Sequence, residues 1–216
     1  MLLRPEEPGA GDWRAVPIAE LLDMLLPSRS EGQRVVIAID GRSSSGKTTL
    51  AQRMASVTQR AAVVHTDDLA WWHSRFDWVE LLLDGIIEPF LAGRQVMFRP
   101  PAWKERGRQG AIDVYPETPV LIIEGVGSSR GEIAGWIDAS VWVQADEAII
   151  ARRNAARIAS GETTSAGVAG WMSEELPFLG ADRPWQRATK IVAGTPELSY
   201  DDVEEVLVAS PFPQAK

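Results

Sequence analysis

The sequence predicts an α/β domain in which helices cover both faces of a mostly parallel, five-stranded sheet. Five short apolar runs, at residues 34–40, 61–65, 120–123, 140–143 and 190–193, have the length of buried strands. Segments of helical periodicity lie between most of them, and strands alternating with helices build βαβ units and a parallel sheet. The chain has 216 residues and no cysteine, enough to bury one core without disulfides or a thiolate-held metal.

Taken in order, residues 1–33 read as an N-terminal arm with a short helix, and 34–216 as the main body of a single domain. Residues 1–16 are expected to be a loose arm. Pro17 opens a helix over 18–26 with apolar residues at 18, 21, 22, 25 and 26, and Pro27 ends it. The strand at 34–40 runs into a glycine-rich turn and a helix over 46–58, whose Leu50, Ala51, Met54 and Ala55 share one face. The strand at 61–65 leads to Thr66-Asp67-Asp68. Val79, Leu82, Leu83, Ile86, Ile87 and Phe90 mark a helix over 77–91, with Gly93 after it. Residues 94–118 read as irregular and charged. The strand at 120–123 ends in Glu124-Gly125, the strand at 140–143 leads to a helix over 146–159, and 166–180 is helical before the last strand.

The turn carries the most chemistry. Gly41-Arg42-Ser43-Ser44-Ser45-Gly46-Lys47-Thr48 fits the phosphate-binding pattern G-x-x-x-x-G-K-[ST] at every specified position. It lies between a predicted strand and a predicted helix, the context that pattern requires. Gly41 and Gly46 allow backbone geometries closed to other residues, so amides along the loop to Thr49 turn toward a phosphate oxyanion at the positive end of the helix. Lys47 reaches the β- and γ-phosphates of a nucleoside triphosphate as a point charge, and Thr48 offers a hydroxyl to Mg²⁺. The fold predicted is therefore a P-loop NTPase three-layer sandwich.

Ligands of open parallel sheets sit at the carboxyl ends of the strands. Asp67 and Asp68 follow the second strand, where a carboxylate holds Mg²⁺ or takes a proton from an attacking hydroxyl; a helix-capping pair is the alternative. Glu124 fits the acid that ends a Walker-B-like strand and positions Mg²⁺. Arg152, Arg153 and Arg157 lie on the helix after the fourth strand. They are either a flap that closes over the phosphates or a solvated face paired with Asp146 and Glu147.

Composition limits the partners. A net charge of −8 argues against a general nucleic-acid binder, and no apolar run approaches the roughly 20 residues of a membrane span. The absence of cysteine and of a visible signal peptide fits a cytoplasmic protein. No Asn-Lys-x-Asp guanine motif and no Leu-Ser-Gly-Gly transporter signature occurs.

The chain resembles the uridine kinase and phosphoribulokinase branch of the P-loop kinases. The matching segments are Ile-Asp-Gly-Arg-Ser-Ser-Ser-Gly-Lys-Thr-Thr-Leu-Ala, Thr-Asp-Asp-Leu, Arg-Phe-Asp-Trp, Leu-Ile-Ile-Glu-Gly-Val, the Arg152-Arg153 helix and Arg-Pro-Trp-Gln-Arg-Ala-Thr-Lys-Ile-Val-Ala-Gly, in order over residues 34–195. The resemblance implies a kinase that uses ATP and Mg²⁺. By it Asp67 is the base on the acceptor hydroxyl and lies near the metal, Glu124 supports metal and acceptor, Arg152 and Arg153 belong to the lid, and Gly194-Thr195-Pro196 lies near the adenine. Departures fall on the acceptor side. Asp67-Asp68-Leu69-Ala70 replaces the Asp-x-Phe-Tyr of uridine kinases, Pro101 is followed by Ala102-Trp103-Lys104 rather than Tyr-Asp, and the third lid arginine is displaced to Arg157.

Trp71, Trp72, Trp78 and Trp103 lie in the segments expected around the acceptor, with Trp78 read as cover for the helix 77–91. His73 and Asp77 are candidate acceptor ligands or ordinary surface and capping residues. Arg99, Lys104, Arg106 and Arg108 either bind an anionic acceptor or belong to a solvated loop. The expectation is an ATP-dependent kinase of a small-molecule hydroxyl acceptor, a nucleoside such as uridine or cytidine or another metabolite. The alternative is a nucleotide-binding regulator or slow ATPase with no such acceptor.

Overall fold

The computed structural model describes residues 1–4, 6–26, 30, 32–58 and 60–212; Pro27, expected to end the first helix, lies outside them. β1 (Arg14–Pro17) and α1 (Ile18–Leu25) precede β2 (Val35–Gly41), which turns through the glycine-rich loop into α2 (Lys47–Val57). β3 (Ala61–His65) passes directly into the short α3 (Thr66–Ala70). The helix expected over 77–91 consists of α4 (Val79–Leu82) and α5 (Glu88–Leu91), joined by a π-helical turn, Leu83–Ile87. Pro89 has no N–H to give the carbonyl of Gly85 four residues back, and the ladder widens there. Next come β4 (Val96–Phe98), α6 (Pro101–Glu105), β5 (Ile112–Val114) and β6 (Val120–Glu124), then a 3₁₀ turn, Gly131–Trp136. The remaining elements are β7 (Ala139–Gln144), α7 (Glu147–Ala159), α8 (Ser165–Asp182), β8 (Lys190–Ala193) and β9 (Glu205–Ala209).

The main sheet has seven strands, in the order β1-β9-β8-β7-β2-β6-β3, where the sequence predicted five. The five predicted strands are present and mutually parallel; beyond β8 the sheet continues with β9, antiparallel to it, and β1, antiparallel to β9. β1 is four residues ending in a proline, with no apolar run of its own, and its pairing from Arg14 with Val208 to Pro17 with Glu205 defines it as a strand. The arm expected to be loose is thereby tied to the sheet. Within the stretch expected to be irregular, β4 and β5 form a two-stranded ribbon, with Val96, Ile112 and Val114 buried and Met97 exposed.

Alternation along the central strands divides the core into the two layers that flank the sheet. Val35, Ile37, Ile39, Val120 and Ile122 pack with α1 and α2 on one face. Val36, Leu121 and Ile123 pack on the other with Trp78, Leu82, Ile86 and Phe90. A third cluster gathers Trp142, Trp185, Leu179 and Ile191, with Ala10 and Trp13 of the arm against it. Among the described residues no helix is long and apolar enough to cross a membrane.

Glu7 anchors the arm. Its carboxylate is buried and accepts hydrogen bonds from Trp142 Nε1 (2.7 Å) and Gln144 Nε2 (3.0 Å). Burial pushes this carboxyl above the usual range, against the two donors and the charge of Arg42. The native state thus holds the proton more tightly than the unfolded chain, so this group's contribution to stability is complete below the unfolded pKa and is lost as pH rises through the native one. Glu7→Gln keeps an acceptor for both donors and removes the titration. Its melting temperature relative to wild type is expected to rise as pH increases above the ordinary carboxylate range, where the wild-type glutamate loses its proton-linked stability. A difference independent of pH would show that the buried carboxyl does not titrate differently on unfolding.

Candidate functional site

The parallel register assembles the site from three strand ends. Glu124 on β6 lies beside Ile39 on β2 and His65 on β3, so the acid sits between the start of the phosphate loop and the segment carrying Asp67. Beyond β2 the loop rises through Ser44 (φ 61°) to Gly46 (φ 109°), which caps α2 in the left-handed region. Left-handed residues at these two steps turn successive amides to one side, the shape that cradles an anion. Lys47 arches back over the loop, buried, with Nζ donating to the carbonyl of Arg42 at 2.8 Å.

Below the loop, Asp40 is fully buried and accepts from the amides of Gly41 (2.7 Å), Gly127 (2.9 Å) and Ser129 (3.0 Å) and from the Ser129 hydroxyl (2.8 Å). This ties the loop to the segment after β6. Gly125 stands in that segment at φ 141°, and a Cβ there would run into the Thr66 hydroxyl. The glycine of the Glu-Gly pair is therefore what lets Thr66, and with it Asp67, sit against β6.

A cleft of about 840 Å³ opens over these strand ends. Ser43, Ser44, Gly46, Lys47, Thr48 and Thr49 line its floor, with Asp67 and Glu124 beside them. Thr48 Oγ1 donates to Glu124 Oε1 at 3.1 Å, and His65 Nδ1 bonds the same oxygen. Burial works to raise the Glu124 carboxyl, but the His65 bond, the charge of Lys47 and the Thr48 hydroxyl hold it below the usual range. Asp67 opens onto the cleft yet is recessed among protein atoms; burial pushes its carboxyl up, with Lys47 pulling the other way. His65 is pushed up by its bond to Glu124, against burial. Two carboxylates and a hydroxyl are hard oxygen donors of the kind Mg²⁺ takes alongside phosphate oxygens and water. Among the described residues no cluster of three or more His, Cys, Asp or Glu forms a metal cage by itself.

The helices α7 and α8 form the opposite wall. Arg153 and Arg157, four residues apart on one face of α7, line the cleft, whereas Arg152, one position away, points to solvent. The helical phase thus places Arg152 on the solvated side of α7, the other of the two readings given for these arginines. The Arg153 guanidinium donates to the carbonyls of Ser44 (2.9 Å) and Gly194 (3.0 Å), joining the phosphate loop to the loop after β8. Arg157 pairs with Glu162 at 2.7 Å and reaches the Ser44 hydroxyl at 3.4 Å. Gly41, Arg42 and Ser45 shape the loop without lining the cleft. The Arg42 side chain is buried, and its Nε and Nη1 have no hydrogen-bond partner among the described residues.

Two contributors from these helices carried no motif. Asn154 Oδ1 accepts from the Ser44 hydroxyl at 2.6 Å, and Glu175 Oε1 accepts from the Ser43 amide at 2.6 Å. The readable signal was Glu175 itself, an acid in phase with Trp171 and Leu179 on an otherwise apolar stripe of α8. Trp171 and Met172 also line the cleft.

Most of the expected acceptor residues are committed elsewhere. Trp78 and Trp103 are core residues, the latter donating through Nε1 to the carbonyl of Asp68 at 2.8 Å. Asp68 pairs with Arg108 at 2.6 Å, Arg108 stacks on Trp103 at 3.6 Å, and Arg99 donates to the carbonyl of Arg108 at 2.7 Å. Arg106 lies 3.8 Å over the exposed Trp72, outside the cleft. His73 Nε2 bonds the backbone carbonyl of Asp77 at 2.7 Å. Arg75, on the cleft rim, pairs with Glu174.

Solved structures share this architecture. A possible uridine kinase from Bacillus stearothermophilus matches over 79% of this chain and 94% of its own, with 22% identity and a TM-score of 0.55. A candidate fructose transport system kinase from Silicibacter sp. TM1040 matches over 77% and 91%, with 20% identity and a TM-score of 0.55. The YGR205w protein matches over 81% and 90%, with 11% identity and a TM-score of 0.50. At such identities the likeness establishes the fold, the P-loop NTPase sandwich. No family model matches the chain, and no curated protein matches it in sequence.

Proposed function

We propose that this chain is an ATP-dependent kinase of a small hydroxylated molecule, in the uridine kinase and phosphoribulokinase branch of the P-loop kinases. The observation that carries the reading is the convergence of Lys47, Thr48, Asp67 and Glu124 on one cleft at the ends of three adjacent strands. Two of the structures that share the fold are described as kinases, which supports the same reading.

In this reading the loop amides and the Lys47 ammonium hold the phosphates of ATP, and Thr48 with Glu124 and Asp67 would hold Mg²⁺. When bound, Mg²⁺ neutralises charge on the phosphate oxygens. Asp67 orients the acceptor hydroxyl and takes its proton as that oxygen bonds to the γ-phosphorus and the bond to the bridging oxygen of ADP breaks. His65 fixes the Glu124 carboxylate. Arg153 staples the loop to the segment after β8, and Arg157 is the arginine best placed to meet charge on the transferred group. Positioning and electrostatics supply nearly all the catalysis in such chemistry.

The test is a mass-spectrometric screen of the enzyme with MgATP and a panel of nucleosides, sugars and vitamin precursors. A product heavier by one phosphoryl group, formed by wild type and not without ATP, is the expected result. ATP consumption that proceeds at one rate with every acceptor, with no phosphorylated product, would instead mark a slow ATPase or a nucleotide-binding regulator.

A further inference from the structure

We infer that Glu175 and Asn154 are positioning residues that clamp the crest of the phosphate loop from the helical wall, so that nucleotide affinity depends on them. The inference rests on the proposed triphosphate site and assigns its preorganisation to residues outside the loop motif.

The crest, Ser43-Ser44, is the part of the loop with the least support of its own. Ser44 is a non-glycine residue in the left-handed region (φ 61°), a conformation that costs energy unless the surroundings impose it. Three side chains impose it. Glu175 takes the Ser43 amide at 2.6 Å, Asn154 takes the Ser44 hydroxyl at 2.6 Å, and Arg153 donates to the Ser44 carbonyl at 2.9 Å. The donor before Ser44, its side chain and the acceptor after it are thus all engaged by α7 and α8.

Glu175 and Asn154 are themselves immobilised. Both are buried, Glu175 2% and Asn154 7% exposed, and Glu175 lies in a helical stripe whose Leu179 belongs to the third core cluster. Burial pushes the Glu175 carboxyl above its usual range, against the Ser43 amide and the charges of Lys47 and Arg42. A loop held this way presents its amides already oriented, so less ordering is left for the nucleotide to impose. Without the clamp, the Ser43–Ser44 peptide is free to leave the left-handed geometry, and part of the binding energy goes to restoring it.

The experiment titrates MgATP by calorimetry into wild type, Glu175→Ala, Glu175→Gln, Glu175→Met and Asn154→Ala, with a melting temperature for each. Glu175→Ala and Asn154→Ala are expected to weaken MgATP binding about tenfold each and, because both side chains are buried, to lower the melting temperature by a few degrees. Glu175→Gln, which keeps a carbonyl oxygen for the Ser43 amide, is expected to bind within about threefold of wild type. Because glutamine keeps volume as well as the acceptor, Glu175→Met, which keeps volume without an acceptor, separates loop positioning from a general loss of packing: it is expected to bind as weakly as the alanine variant. Wild-type affinity in Glu175→Ala or Glu175→Met, or a glutamine variant no better than alanine, overturns the inference. Failure of wild type to bind MgATP overturns the proposed function and this inference together. No acceptor is needed, so the result stands apart from whether a small molecule is phosphorylated.

Discussion

Lys47→Ala is expected to lower phosphoryl transfer by about 10³-fold or more and to weaken MgATP binding measurably, while the fold persists. The ammonium is buried at the floor of the cleft, among the described residues its one hydrogen bond is to the carbonyl of Arg42, and its charge acts on both acids of the site. Of the other cations that line the cleft, Arg75 is paired with Glu174, Arg153 donates to two backbone carbonyls, and Arg157, paired with Glu162, has its own place at the transferred group on the opposite wall rather than on the floor. None can take over a charge that has to develop its strongest contact in the transition state. Lys47→Met, closer in volume, should behave like the alanine variant if charge is what matters and better if packing is. The assay is product formation on the acceptor found by the screen, with calorimetric MgATP binding beside it. Turnover within about tenfold of wild type in either variant would remove Lys47 from the mechanism.

The parts of this fold that were legible in the sequence are those whose signal is local. The five parallel strands are continuous apolar runs because both faces are covered, and Gly41 to Thr48 is a pattern whose chemistry demands its residues. Asp67 and Glu124 followed from the rule that strand ends carry the site. What escaped is specified by distant partners. β1 exists because Glu205–Ala209 offers it an edge, and the arm is held by a glutamate whose donors lie more than a hundred residues away. Trp78 was legible as cover for the helix 77–91, but Trp103 misled for a related reason: it signals core and binding surface equally well until burial is known. On α7, a run of two arginines did not reveal which faced the cleft, although the phase linking Arg153 to Arg157 contained the answer.

Asp67→Asn is expected to reduce kcat by about 10²- to 10⁴-fold while MgATP affinity changes by no more than a fewfold. Asparagine fills the same space and still accepts a hydrogen bond, but it cannot take a proton. The neighbouring acid offers no substitute, because Asp68 is held by Arg108 on the far side of α3. Backbone placement will not drift either, since Thr66 is locked against Gly125 and fixes the start of the helix. The variant separates two duties that the site assigns to this carboxylate. If Asp67 serves chiefly as a Mg²⁺ ligand, the defect appears as a raised Mg²⁺ requirement and saturating Mg²⁺ restores the rate. If it is the base on the acceptor hydroxyl, the deficit persists at every Mg²⁺ concentration. A wild-type kcat in Asp67→Asn would leave proton removal to solvent, as expected where a loose transition state asks little of a base. Glu124→Gln then becomes the discriminating variant, because Glu124 is the other carboxylate on the same wall of the cleft, already bonded to Thr48 and His65.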